Sequence, residues 1–259
     1  MMIEFTKMHG LGNDFVVIDA VTQNITLTPK KIRAWADRHR GIGFDQLLLV
    51  EKPQSIDVDF NYRIYNADGG EVGQCGNGAR CLARFIYDRG LSAKTEMTIA
   101  TFSSRMQLKL LENDLVAVSL PMLSVANGKG IQNIQYVAVN MGNPHAVTTV
   151  ANVSEADVSG IGALFNQHDD FPEGVNVGFM EISSPERIML RVYERGVGET
   201  EACGSGACAA VVAGKASGQL AESVAVELLG GELLVHWQGA GHPVWLTGPA
   251  TTVYSGQLK

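Results

Sequence analysis

The chain has few cysteines, no basic cluster and no long apolar run, and each absence excludes a class of protein. Its 259 residues include four cysteines, too few for the disulfide framework of a small secreted domain. Lysine and arginine total 20 against 27 aspartates and glutamates, and the net charge of −7 disfavours nucleic acid as a partner. No apolar run approaches the ~20 residues that cross a bilayer, so we expect no membrane association. A small molecule is the expected binding partner.

The first residues and the cysteine content indicate the cellular compartment of the protein. Residues 1–7 lack a basic segment followed by a long apolar one, so they predict a first β-strand rather than a signal peptide. The low cysteine content indicates a reducing compartment. We therefore expect a cytoplasmic protein whose thiols are available for chemistry.

Two short segments, residues 66–81 and 194–208, follow one plan. The first contains Cys75-Gly76-Asn77-Gly78 and the second contains Cys203-Gly204-Ser205-Gly206, each before an apolar stretch. These stretches have little polar face, which predicts two buried helices. Glycine lets the backbone approach a ligand closely, and the N–H groups of a helix's first turn bind anions. Each turn therefore predicts a thiol beside a carboxylate-binding helix start.

The two cysteine turns belong to an internal repeat. Polar landmarks recur in the same order at offsets of 128 (203 minus 75) or 130 (143 minus 13) residues. The matched pairs are Asn13 with Asn143, Gln46 with Asn176, Asn66 with Glu194, and Cys75 with Cys203. Such a repeat predicts that the chain arose by duplication.

The predicted fold is α/β (α+β), with two pseudo-symmetric domains of curved strands wrapped around a central buried helix. The expected domains are residues 1–120 and 121–249, and residues 250–259 are expected to return to the first domain as a strand. A surface helix is predicted from Thr28-Pro29 to Arg40, because a threonine at the N-cap followed by a proline at the first helical position favours a helix start. Its counterpart is expected within residues 153–166, and residues 124–130 are expected to form a loop.

A thiol at a helix start suits proton transfer. Its pKa falls from ~8.5 to as little as ~3.5–7.5 at a helix N-terminus, so a thiolate becomes a usable base. If Cys75 and Cys203 face one α-carbon, one sulfur removes the proton and the other returns it from the opposite face. This inversion needs no cofactor. Two close thiolates repel, so we expect one ionised and one protonated thiol and a bell-shaped pH–rate profile.

Other readings of the polar residues stay open. Cys81 and Cys208 lie further into the apolar helices and are interpreted as core packing. Zinc is disfavoured, because steps of six and five residues place neither cysteine pair on one helix face, so no metal is expected. The histidine in Gly142-Asn143-Pro144-His145 is as consistent with a structural role as with a functional one. Glu71 and Glu199 are consistent with simple complements to the helix starts.

These motifs resemble those of the diaminopimelate epimerase family, in the family's order and over most of the chain. The segments that carry the resemblance are residues 9–15, 43–46, 66–81, 142–145, Phe171-Pro172 with Asn176, and 194–208. The resemblance implies two pseudo-symmetric domains with the site in the cleft between them, a homodimer and cofactor-independent conversion of LL-diaminopimelate to the meso form for lysine and peptidoglycan synthesis. Gly70 and Gly174 depart from the family's usual residues, which bears on loop details alone.

The resemblance also implies a role for each site residue. Cys75 and Cys203 would be the acid/base thiols, and the backbones of Gly76-Asn77 and Gly204-Ser205 would hold the reacting carboxylate. The rest of the substrate would be bound by Asn13, Gln46, Asn66, Asn143, Asn176, Glu194 and Arg195.

Two rival functions are weighed against this one. A proline racemase acts on an amino acid with a single head, whereas Arg195, Asn143 and Asn176 favour a substrate with a second amino-acid head. A member of the fold that binds without turnover is expected to lack a cysteine, and this chain has both.

Overall fold

Strands and helices follow one another in the same order in the two parts of the chain. The computed structural model describes residues 2–128 and 130–258. The first elements are β1 (Ile3–Gly10), β2 (Asn13–Asp19), α1 (Pro29–Ala36), β3 (Gln46–Glu51), β4 (Phe60–Asn66), β5 (Glu71–Val72), α2 (Gly76–Asp88), β6 (Glu96–Ala100), β7 (Arg105–Leu110) and β8 (Leu115–Leu120). There follow β9 (Ser124–Asn127), β10 (Val137–Asn140), β11 (Pro144–Thr149), a 3-10 turn (Val153–Glu155), α3 (Val158–Asn166), β12 (Asn176–Ser184), β13 (Arg187–Glu194), β14 (Gly198–Thr200), α4 (Gly204–Ala216), β15 (Ser223–Leu228), β16 (Gly231–His236), β17 (Val244–Pro249) and β18 (Thr251–Leu258).

The chain divides into two units. One comprises Met1–Val118 and Gly248–Lys259, and the other is Ser119–Thr247. Strand β18 pairs antiparallel with β1, so the last strand belongs to the first unit. Both units combine parallel and antiparallel strand pairs with few helices, which confirms the predicted two-domain α+β fold class.

The strand pairing repeats between the units. In the first unit β2 runs parallel to β3, β3 antiparallel to β4, and β4 parallel to β6. In the second, β11, β12, β13 and β15 pair in the same way. Phe15 lies opposite Gln46, and His145 lies opposite Asn176, so both strands of the pair keep the offset of 130 residues. The duplication is therefore present in the register of the sheets as well as in the sequence.

A buried helix lies against the strands of each unit. Helix α2 packs against β1, β2, β3 and β7, and α4 packs against β9 to β13 and β16. Cys81 and Cys208 are fully buried, which confirms their predicted place in the core. Burial raises the pKa of Cys81 to about 12, so this thiol stays protonated. Within the described parts of the chain, no helix is both long enough and apolar enough to cross a membrane.

A surface helix covers the other side of the parallel strand pair. Thr28 accepts a hydrogen bond from the Lys31 amide and begins α1, whose Ile32 packs with Val16 and Leu47. Helix α3 has the same place in the second unit, where Phe165 packs with Val177. Each parallel pair thus has apolar side chains on both faces.

Two local predictions were wrong. Helix α1 ends at Ala36 rather than Arg40, because the Asp37 carboxylate accepts the amides of His39 and Arg40 and forms a turn. Residues 124–127, expected within a loop, form β9 and pair antiparallel with β10. Residue 129 of that predicted loop lies outside the described residues.

Candidate active site

Cys75 is the N-cap of helix α2. Its backbone is extended, and its Sγ accepts a hydrogen bond from the Gly78 amide at 3.3 Å. Gly76 and Asn77 lie in the first turn of the helix, and Cys75 is partly exposed whereas Asn77 is buried. The positive end of the helix and the Gly78 amide both favour negative charge on this sulfur.

Two predicted substrate ligands meet beside this turn. The Nδ2 group of Asn77 donates to Oδ1 of Asn13 at 3.3 Å, and Nδ2 of Asn13 donates to Oδ2 of Asp45 at 2.9 Å. Asp45 was not among the predicted site residues, although it directly precedes Gln46 in the sequence. Its carboxylate fixes the orientation of the Asn13 amide.

Gln46 and Asn66 lie opposite each other on the antiparallel pair of β3 and β4. Nε2 of Gln46 donates to Oδ1 of Asn66 at 2.9 Å. The other amide atom, Oε1 of Gln46, is buried and has no hydrogen-bond partner among the described residues. A buried acceptor without a hydrogen-bond donor destabilises the protein. An N–H group of a bound ligand would supply the missing donor.

A network of charged side chains holds the segment next to Asn13. Asp14 pairs with Lys7 at 2.6 Å and with Arg38 at 2.8 Å, and Arg38 also binds Asp45 at 2.7 Å. Burial alone would raise the pKa of Asp14, but the bonds from Arg38 and Lys7 outweigh it and hold that pKa well below 3.8. Asp14 is therefore ionised near neutral pH and locks the segment that carries Asn13.

We predict that Asp14→Asn destabilises the protein at pH 7 by about 3 kcal/mol, because it leaves the buried Lys7 and the more exposed Arg38 without their shared anion. A depressed pKa contributes stability above the unfolded value, and this contribution is lost as the pH falls below 3.8. Urea unfolding at pH 7 and pH 3 measures both effects. The difference in unfolding free energy between wild type and variant should be smaller at pH 3 than at pH 7. An equal difference at both pH values would contradict the lowered pKa of Asp14. Asp169→Asn, at an exposed carboxylate, is the control.

Cys203 is the N-cap of helix α4 and is buried. Its Sγ donates a hydrogen bond to Oε2 of Glu194 at 3.2 Å, and Thr200 donates to Oε1 of the same carboxylate at 2.5 Å. A carboxylate is an acceptor, so this contact requires the proton on sulfur. Burial first, and the charge of Glu194 second, raise the pKa of Cys203 well above 9.0. Cys203 is therefore a protonated thiol at neutral pH.

A series of side-chain contacts connects His145 on strand β11 to Cys203. Nε2 of His145 lies 3.1 Å from Oδ1 of Asn143, Nδ2 of Asn143 donates to Oγ of Ser205 at 3.4 Å, and this hydroxyl lies 3.7 Å from the Cys203 sulfur. Burial, and then the charge of Arg195, lower the pKa of His145 to about 3, so its ring is neutral. An amide oxygen only accepts, so the proton of His145 is on Nε2. His145 therefore orients Asn143.

Asn176 and Arg195 are held to the backbone of the second unit. Oδ1 of Asn176 accepts the Arg195 amide at 2.9 Å, and its Nδ2 donates to the Pro144 carbonyl at 3.4 Å. The Arg195 guanidinium donates to the Glu173 carbonyl at 3.1 Å. In the described structure Asn176 thus positions the segment that carries Arg195.

The two thiols share a helix-start position but differ in their other neighbours. Each sulfur accepts a hydrogen bond from a helix amide, Gly78 for Cys75 and Gly206 for Cys203, but Cys203 also donates one to the carboxylate of Glu194. Asn66 stands nine residues before Cys75, where the other half has Glu194 before Cys203. The duplication has therefore kept the thiol, and nine residues before it has an amide in the first half and a carboxylate in the second. Thr200, which supports that carboxylate, had no counterpart in the sequence repeat that would have revealed it.

The fold is shared with several solved structures. A PhzF-family phenazine biosynthesis protein from Bacillus anthracis is 15% identical with a TM-score of 0.77, over 100% of this chain and 99% of that chain. A hydroxyproline epimerase from Agrobacterium vitis is 16% identical with a TM-score of 0.75, over 99% and 92%. A probable proline racemase from Agrobacterium radiobacter is 17% identical with a TM-score of 0.71, over 99% and 93%. These likenesses show a shared fold.

The sequence also matches the model of one protein family. The model of the family described as Diaminopimelate epimerase matches residues 5–122 and 137–253. These ranges include both cysteine turns and most of the chain. The chain therefore belongs to the diaminopimelate epimerase family.

Proposed function

We propose that the chain is a cofactor-independent epimerase that converts LL-2,6-diaminopimelate to meso-diaminopimelate, with Cys75 and Cys203 as its acid/base groups. The contrast between the two thiols carries the proposal. Cys75 sits where an anion is favoured, and Cys203 holds its proton against Glu194. One resting base and one resting acid are what a two-base inversion requires.

In the proposed reaction the Cys75 thiolate removes the α-proton and becomes a thiol. The electron pair left on carbon is delocalised into the adjacent carboxylate, and Cys203 gives its proton to the opposite face and becomes a thiolate. The N–H groups of Gly76-Asn77 and Gly204-Ser205 stabilise the developing negative charge on that carboxylate, because helix starts carry aligned donors. Glu194 repels the new Cys203 thiolate, which favours its return to the thiol.

The other predicted ligands fit a substrate with two amino-acid heads. The buried Oε1 of Gln46 calls for a donor such as an ammonium group. The guanidinium of Arg195 suits a second carboxylate. The remaining proposed ligands are Asn13, Asn66, Asn143, Asn176 and Glu194. Family membership supports the further proposals of a homodimer in the cytoplasm and of a role in lysine and peptidoglycan precursor synthesis.

Incubation with LL-diaminopimelate in D2O tests the proposal. We expect meso-diaminopimelate to form and to carry deuterium at one α-carbon, as measured by NMR and mass spectrometry. Parallel incubations contain L-proline and trans-4-hydroxy-L-proline. Turnover of either of these without turnover of diaminopimelate would overturn the substrate, and exchange with none of the three would overturn the reaction class.

A further inference from the structure

Tyr62 carries a buried hydroxyl that the proposed reaction leaves unused. It lies on β4 and is 1% exposed, and its Oη has no hydrogen-bond partner among residues 2–128 and 130–258. Leaving a buried hydroxyl unsatisfied is destabilising, and phenylalanine would fill the same space without that penalty. The hydroxyl therefore calls for an explanation beyond packing.

The hydroxyl points toward the first cysteine turn. A Cβ built on Gly78 would lie 2.5 Å from Oη of Tyr62 and 3.4 Å from Sγ of Cys75. The phenol and the thiol thus border the same small space, which exists because residue 78 has no side chain. An alanine there would displace the phenol. Glycine at this position keeps open the space that the phenol and the sulfur both border.

The second unit has no tyrosine at the matching strand position. Tyr65 lies opposite Leu47 as Tyr193 lies opposite Val177, so the residue that corresponds to Tyr62, three positions before the tyrosine, is Leu190. Leu190 is buried and apolar. Cys203 lies 3.7 Å from the Ser205 hydroxyl of its own helix, and it donates to the Glu194 carboxylate at 3.2 Å. The strand residue that borders the Cys75 turn is instead a hydroxyl donor.

We propose that Tyr62 is a positioning residue that donates a hydrogen bond to the Cys75 thiolate and makes Cys75 the ionised member of the pair. This proposal rests on the proposed role of Cys75. A hydrogen bond to an anion is stronger than one between neutral groups, so the phenol gains its partner when the thiol loses its proton. Tyr62 and Glu194 then bias the two thiols in opposite directions, and proton transfer starts from a defined state.

The phenol stays a donor across the working pH range. Burial first, and the charge of Cys75 second, raise the pKa of Tyr62 well above 10.0. The other titratable groups close by are Cys81 and Arg80 of α2, both fully buried. Cys81 remains protonated, and the Arg80 guanidinium keeps its charge, so neither changes state as Cys75 titrates.

Alkylation of Cys75 by iodoacetamide, followed against pH by peptide mass spectrometry, tests this role without any substrate. In Tyr62→Phe the pH midpoint should rise by about one unit, and alkylation below the midpoint should slow about tenfold. Tyr65→Phe removes a hydroxyl from the same strand but from the opposite face and should leave the midpoint unchanged. An unchanged midpoint in Tyr62→Phe would overturn the proposal.

The variant Gly78→Ala gives a second, independent test of the role of Tyr62. Its new methyl group displaces the phenol, so it should raise the Cys75 midpoint as Tyr62→Phe does, and the double variant should show no larger shift. Additive shifts would overturn the proposal. If Gly78→Ala alone does not fold, the double variant, in which phenylalanine removes the clashing oxygen, is compared with Tyr62→Phe, and equal Cys75 midpoints support the proposal. A failure of the epimerase proposal would give a different result. The wild-type protein would then exchange no deuterium into the substrate, while the pH midpoint of Cys75 alkylation would still depend on Tyr62.

Discussion

Alanine at Cys75 or at Cys203 should lower turnover of LL-diaminopimelate by at least about 10³-fold. General acid–base catalysis contributes about 10²- to 10⁴-fold, and the proposed inversion requires both groups because each would serve one face of the α-carbon. Steady-state measurement of meso-diaminopimelate formation gives this value for each variant. Loss of either thiol should be nearly as severe as loss of both, because the two act as a unit.

Cys81→Ala and Cys208→Ala are the matched controls. Both residues are buried in the same two helices, so these variants lose packing and stability but should keep the rate of the folded enzyme. Deuterium washout gives a sharper test of the single variants. Each remaining thiol should exchange the α-proton on its own face without inverting the centre. Inversion by either single variant at the wild-type rate would rule out the two-thiol mechanism.

Glu194→Gln should move the alkaline limb of the pH–rate profile to lower pH by about one to three units. Cys203 must be protonated to act as the acid, so the rate in that direction falls as the pH rises through its pKa. Burial and Glu194 hold this pKa well above 9.0 in the wild-type protein. Removal of the negative charge lowers the pKa, so the variant loses its acid at a lower pH. The measurement is kcat against pH in the direction that uses Cys203 as the acid.

Glu201→Gln controls for the change in net charge. Glu201 is exposed and lies two residues before Cys203, and this variant should keep the wild-type limb. An unchanged limb in Glu194→Gln would show that the carboxylate does not set the protonation state of Cys203. The KM of Glu194→Gln should also rise, because this carboxylate is a proposed substrate ligand.

Much of the fold follows from local patterns. The two apolar stretches after the cysteine turns predicted buried helices, and the offsets of 128 and 130 residues predicted a duplication that the strand registers repeat. The errors arose where a distant or side-chain partner decides the outcome. Asp37 ended α1 through its own carboxylate, and β9 exists because β10 supplies its hydrogen bonds.

The sequence by itself determined the chemistry that is available: two thiols at helix starts, repeated in one chain, with polar residues at matched offsets. Tertiary structure alone decided what each thiol is paired with. Glu194 and Thr200 reach Cys203 from β13 and β14, and Tyr62 reaches the Cys75 turn from β4. Offsets along a chain cannot predict these contacts, because they depend on which face of a strand meets a helix start and how deeply it is buried. Burial and neighbouring charge set a thiol's protonation state, and only the folded chain specifies both.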